Sequence, residues 1–151
     1  MLTDTLAGLL LLLTGALAGV LLAVEVAVVP MLGRLPGDRY REVHRLLDPR
    51  FDPLMPTVNK VALVAGLVLT VYGPGTDTRI AYAVTEAGLV GVALVSELSN
   101  VRMNRTIDTW EAGRLPGSWT ATRERWARAN RYRTWLALTA FGAAIVGVTL
   151  R

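Results

Sequence analysis

The sequence predicts an all-α fold, a four-transmembrane-helix bundle. Three observations carry that prediction. Four apolar stretches approach membrane-spanning length. Apolar residues make up 52% of the chain and charged residues only 19%. All but two of the arginines fall in two of the connecting segments. A helix needs about 20 apolar residues to cross the hydrocarbon layer. Four such helices use roughly half of the 151 residues. The remainder suffices for loops, so residues 1–151 form one membrane domain with no separate catalytic unit.

The first span is expected over residues 5–29. Its core, LAGLLLLLTGALAGVLLAV, has no charge before Glu25. The run is too long for the apolar part of a secretory leader, and MLTD before it has no basic residue. Gly15 and Gly19 form a small-xxx-small pair that would admit a neighbouring helix closely. Pro30 should end the span. Leu35-Pro36-Gly37-Asp38 reads as a turn, with Asp38 capping a short amphipathic helix over residues 39–47. Its apolar stripe is Tyr40, Val43, Leu46 and Leu47, with His44 alongside. Such a helix lies on the membrane surface and sends its arginines to headgroups. Prolines 49, 53 and 56 should break it.

The second span is expected over 54–72. To reach crossing length it must include Asn59 and Lys60 near one interface. Lys60 can snorkel; Asn59 is too short to do so and should bond to a neighbouring helix. Gly73-Pro74-Gly75-Thr76-Asp77 is a tight connection. The third span, 79–98, carries Glu86 at mid-depth and Glu97 near its far end, and its helix can continue to Asp108. Pro116-Gly117-Ser118 breaks the next loop, among Trp110, Trp119 and Trp126. A helix over ATRERWARANRYR leads into the fourth span, 134–150. The two halves share a plan of span, basic loop and span. Their residues do not match, so no repeat is inferred.

Charge sets the orientation. The 30–57 segment holds Arg34, Arg39, Arg41, Arg45 and Arg50. The 99–133 segment holds Arg102, Arg105, Arg114, Arg123, Arg125, Arg128, Arg131 and Arg133. Only Arg79 and Arg151 lie opposite. Basic loops stay in the cytoplasm, so both termini are expected to be extracytoplasmic in a bacterial plasma membrane. The net charge of +4 therefore points to lipid headgroups as partners and not to nucleic acid. The absence of cysteine excludes disulfides, thiol nucleophiles and Cys-ligated metal centres.

This orientation gathers the polar residues at one depth. Glu25, Asn59, Glu97, Asn100, Asn104, Trp126, Asn130 and Arg133 all fall toward the arginine-rich end. Glu97, Asn100 and Asn104 are spaced three and four apart, so they share one helix face. Glu86, eleven residues before Glu97, falls near that face. Trp126, Asn130 and Arg133 repeat the spacing as four and three. If both stripes face inward they form a polar cavity open to the cytoplasm, with His44 on the helix above it. A purely structural account stands beside this one. Polar side chains also act as packing glue in membrane bundles, and Glu25 could simply pair with Arg133 or Arg102. Glu25, His44 and Glu97 would also suit a metal with two carboxylates and one histidine, although no HxxxH or ExxH spacing accompanies them. His44, the sole histidine, is the one candidate axial ligand for a haem.

The segment Asn104-Arg105-Thr106-Ile107-Asp108-Thr109-Trp110, followed by Trp126-Ala127-Arg128-Ala129-Asn130-Arg131-Tyr132-Arg133-Thr134, resembles the anthrone oxygenase-like family of small four-helix membrane proteins (the DUF1772 group). In that family an Asn-x-x-Ile/Leu element ends the third span, and Trp-x-x-x-Asn/His-x-x-Arg-Thr opens the fourth. Asn104 with Ile107, and Trp126 with Asn130, Arg133 and Thr134, match those elements. The close of span one from Glu25 to Pro30 is also similar. A proline often precedes the matched Asn in the family; Arg102-Met103 stands there in this chain.

The resemblance implies a monooxygenase, an oxidoreductase converting an electron-rich aromatic to a quinone with dioxygen as co-substrate. It implies catalytic roles for His44, Glu97, Asn104 and Arg133. His44 or Glu97 would remove a phenolic or methylene proton. Asn104, Asn130 and Arg133 would hold the resulting enolate. Glu25, Asn59, Asn100, Trp126 and Asn130 would contact a hydrophobic small-molecule substrate, with Trp126 expected chiefly as an interfacial anchor. Two other functions fit the same spans. One is a non-catalytic accessory or hydrophobe-binding subunit. The other is a proton-coupled carrier using Glu86, which would need a homo-oligomer because four spans are few for alternating access.

Overall fold

The computed structural model describes residues 1–51 and 54–151. Pro53, one of the expected helix breaks, lies outside the described residues, as do the side chains of residues 48, 50 and 51. The described residues form five helices: α1, Leu2–Gly33; α2, Gly37–Phe51; α3, Leu54–Tyr72; α4, Thr76–Asp108; and α5, Trp119–Thr149. Three of them, α1, α3 and α4, are long and apolar enough to cross a membrane.

The four long helices close into a ring. α1 packs on α3 and α5, and α4 packs on the same two. Gly73-Pro74-Gly75 joins α3 to α4 so tightly that they must run antiparallel as neighbours. Gly75 is extended there (φ −146°, ψ 164°), and the Arg79 guanidinium closes the turn by donating to the Gly73 carbonyl at 2.8 Å. The chain ends meet at one end of the bundle. Arg151 donates to the Thr3 carbonyl (2.9 Å) and lies 3.1 Å from the Asp4 carboxylate.

The packing is that of a membrane protein. Small residues fill the interior: Ala62, Ala65, Ala81, Ala137, Ala140 and Ala144, with Thr14 and Thr85. Large apolar residues face outward, and Leu12, Val64, Leu67, Leu94 and Trp135 are all more than half exposed. In water such a surface drives aggregation. In lipid it carries no penalty, and close approach of small residues becomes what holds helices together. The protein is therefore an integral membrane protein, largely helical. α4 and α5 approach closely at Gly88, where an added Cβ would fall 2.9 Å from the Leu136 carbonyl oxygen and from the Ala140 Cβ. The Gly15/Gly19 pair contributes less than its spacing suggests. Gly15 faces the Phe141 ring, whereas Gly19 faces open space.

Two helix ends marked by proline depart from expectation. Pro30 does not end α1, which continues to Gly33. A π turn at Val24–Val28 directly precedes this proline, and the looser turn makes room for a ring that would crowd a regular helix. Pro49 lies inside the last turn of α2, where it removes one hydrogen bond and the helix runs on to Phe51. Pro56 is the third residue of α3, where its missing N–H has no helical partner to lose. The α2 helix is thus longer than the expected 39–47. Asp38 lies inside it, and its carboxylate accepts the Gly113 N–H at 3.0 Å. Its buried face is Tyr40 and His44, flanked by Val43 and Leu47, while Leu46 points outward at 67% exposure.

α2 lies across the arginine-rich end, against the last turns of α1 and α4. Beneath it a second apolar core forms from Leu32, Tyr40, Ile107 and Trp110, with Trp119 and Trp126 against them. Arg123 stacks over the Trp119 ring at 4.9 Å and donates to the Leu35 carbonyl at 3.2 Å. Arg41 donates to the Trp110 carbonyl. These bonds tie the two connecting segments together.

Candidate functional site

Two π turns shape the arginine-rich end. The Val29 N–H bonds to the Val24 carbonyl, and the Val101 N–H to the Ser96 carbonyl, each five residues back instead of four. Both turns, Val24–Val28 and Ser96–Asn100, carry glutamate as second residue and pack against α5. Such turns are rare and concentrate at functional sites, because one inserted residue re-aims the side chains around it.

A polar chain links the two turns across α5. The Glu25 carboxylate accepts Asn130 Nδ2 and Arg131 Nε, each at 2.9 Å. Asn130 Oδ1 accepts the Arg133 guanidinium at 2.9 Å, and Arg133 reaches Ser96 Oγ at 3.4 Å. Thr134 Oγ1 donates to the Leu21 carbonyl at 3.1 Å, holding α5 on α1. The Arg133 guanidinium is thereby oriented by neighbours on two helices. A bidentate donor held in this way recognises an anion without first having to be ordered.

A second set of contacts joins the end of α4 to the start of α5. Trp126 Nε1 donates to Asn104 Oδ1 at 2.9 Å. The His44 ring stands edge-on to Trp126, with centroids 5.4 Å apart, and 5.7 Å from Tyr40. Trp126 thus faces inward, toward Asn104 and His44. Burial pushes the His44 pKa down from 6.5 to about 4, against a smaller upward pull from Asp108. The imidazole is neutral at pH 7, so one ring nitrogen can accept a hydrogen bond while the other donates one. Burial raises the Tyr40 pKa, with Arg123 opposing it, so its hydroxyl keeps its proton.

His44, Asn104, Trp126, Asn130, Arg133 and Ser96 line a cavity of about 160 Å³. Leu17, Leu21, Leu63 and Val92 supply apolar wall, and Lys60, Glu97 and Arg133 bring charge. His44, Asn59 and Asn100 also line it and are 3%, 5% and 2% exposed. Asn59 Nδ2 donates to the Leu89 carbonyl on α4 at 3.3 Å, the interhelical bond expected of it. Its Oδ1 has no partner, nor do either ring nitrogen of His44 or either amide atom of Asn100. Buried polar atoms are normally paired, since each orphan costs about 1–3 kcal/mol. All five belong to residues that line one cavity, so a polar group bound between its apolar walls would find partners there.

Eight of the residues singled out in the sequence line this cavity: His44, Asn59, Glu97, Asn100, Asn104, Trp126, Asn130 and Arg133. Glu25 does not. It stands behind Asn130, and its ionic partner is Arg131, not Arg133 or Arg102. Glu86 does not line it either; its carboxylate lies toward α3, in space left by the missing side chain of Gly66. Glu25, His44 and Glu97 do not assemble as a metal set. Among the described residues no three His, Cys, Asp or Glu side chains come together. The lining residues of metal-ligating type are His44 and Glu97. Ser96 was missed in the sequence, although its spacing of four from Asn100 and eight from Asn104 places it on their face. Lys60 was noted only for its length. Comparison of the chain with protein-family models, with curated proteins and with solved structures finds no match.

Proposed function

We propose that the protein is a four-span membrane oxidoreductase that takes a hydrophobic aromatic molecule into the α2-covered cavity and oxidises it with dioxygen. The observation that carries the reading is the cavity itself, apolar in its walls and set with unpartnered atoms of His44, Asn59 and Asn100. The fourth span is the second half of α5, whose Trp135, Ile145 and Val146 are turned outward. The arginine-rich end faces the cytoplasm, both termini lie outside, and α2 rests at the inner interface.

The similarity of Asn104, Ile107, Trp126, Asn130, Arg133 and Thr134 to the anthrone oxygenase-like family supports the choice of reaction. In that chemistry His44 or Glu97 takes a proton from an activated methylene. Arg133, held by Asn130, stabilises the enolate that forms, together with Asn104. The enolate passes its electrons to dioxygen. One oxygen atom ends in the new carbonyl; the other leaves as water with the two methylene protons.

The test is oxygen uptake and quinone absorbance with the detergent-purified protein and a hydroxylated aromatic bearing a benzylic methylene. Arg133→Gln and His44→Gln should each lower turnover about 100-fold or more in protein that still folds. Failure of the native protein to bind any such aromatic removes the reading. Binding without oxygen uptake favours a hydrophobe-binding subunit. One observation already points that way: His44 has no hydrogen bond to orient it, whereas a catalytic base is usually held by a third group.

A further inference from the structure

A second site lies outside the bundle, in the open groove between the end of α4 and the start of α5. Its volume is about 420 Å³. Arg102, Arg125 and Arg128 line it, and no Asp or Glu does. Among the described residues none of these three guanidinium groups enters an ion pair or hydrogen bond. Three like charges on one groove repel one another, and an anion placed among them relieves that repulsion.

The groove is also graded. On α4 the order toward the loop is Val95, Leu98, Arg102; on α5, which runs the other way, Tyr132 lies on the span side of Arg128 and Arg125. Both walls therefore pass from apolar to cationic in the same direction. Leu98 is 58% and Tyr132 59% exposed, so the apolar end opens to the surrounding hydrocarbon. A soluble anion would use only the cationic end. An amphiphile with an anionic head uses both.

We propose that this groove binds an anionic phospholipid, its phosphodiester on Arg102, Arg125 and Arg128 and an acyl chain along Val95, Leu98 and Tyr132. Guanidinium groups match phosphate oxygens in geometry as well as charge. The groove lies where headgroup and hydrocarbon meet, so the lipid needs no displacement from its leaflet.

Native mass spectrometry of the detergent-solubilised protein tests this, with phosphatidylglycerol, phosphatidylcholine or inorganic phosphate added. Phosphatidylglycerol should be retained at least fivefold better than phosphatidylcholine. Replacing Arg102, Arg125 and Arg128 together by Gln should weaken its retention about tenfold or more, and Arg128→Gln alone about threefold. The same replacement at Arg34, Arg105 and Arg114, which are exposed but outside the groove, should leave retention within twofold. Equal retention of the two lipids overturns the proposal. So does an equal loss in both triple variants, which would reduce the effect to net charge. Full competition by millimolar inorganic phosphate would replace the lipid by a soluble phosphate ligand.

Discussion

Asn100 is almost wholly buried, yet both ends of its amide lack a partner. A leucine has the same γ-branched outline and would remove these two polar atoms from the cavity wall. Asn100→Leu is expected to stabilise the ligand-free protein by about 1 kcal/mol while weakening ligand binding at least tenfold, measured as detergent denaturation midpoint and ligand titration on the same sample. Destabilisation with unchanged binding would make Asn100 structural. His44 gives a pH dependence of defined sign. The unfolded chain takes up its proton as pH falls past 6.5, whereas the folded protein resists until about 4. The His44 contribution is therefore intact above pH 6.5, declines through that window, and is fully lost below about pH 4. The total is on the order of 3 kcal/mol. Melting curves between pH 7 and 4 should show it, and His44→Gln should flatten that portion. Which residues gather at the site was legible in the sequence, because a helix repeats every three to four residues and loop charge fixes depth. Which atoms bond was not. The sequence offered Glu25 either Arg133 or Arg102, and only the packed geometry assigns it to Arg131.

The fold at the level of helices was read well where periodicity and length speak, and poorly where a helix is irregular. The long runs of apolar residues located α1, α3 and α4, and the Gly-Pro-Gly turn located the α3–α4 connection. The π turns left no trace. One inserted residue in a 32- or 33-residue helix scarcely disturbs a hydrophobic pattern. Prolines were over-read for the same reason: Pro30 breaks a regular helix but fits beside a π turn. Glycines also had to be told apart by their neighbours. Gly88→Ala pushes a Cβ against the α5 backbone, so the two helices must separate, at about 1–3 kcal/mol. Gly19→Ala meets nothing and should be neutral or slightly stabilising through helix propensity. Unfolding midpoints of the two variants in one detergent check both. Comparable loss in both would mean that α4 and α5 do not approach closely at Gly88.

At the scale of the whole molecule, the predicted topology can be checked against no background, because the chain has no cysteine. An impermeant maleimide should label Asp77→Cys on intact cells and Gly117→Cys only after lysis. The reverse pattern would invert the orientation and move the cavity to the opposite face. Charge bias predicts this orientation from sequence alone, and a helix over the cavity was expected too; its ties to the Gly113 and Trp110 backbone were not, since they come from residues about 70 positions away. The unpaired atoms around the cavity carry one more consequence. A ligand that pairs with them in the native form alone shifts the thermal transition upward. At a hundredfold excess over its dissociation constant, a compound that binds only the native form adds about 2.7 kcal/mol. A library of phenols, quinones and neutral amphiphiles can thus be ranked by melting alone, and the natural occupant recognised before any turnover is known.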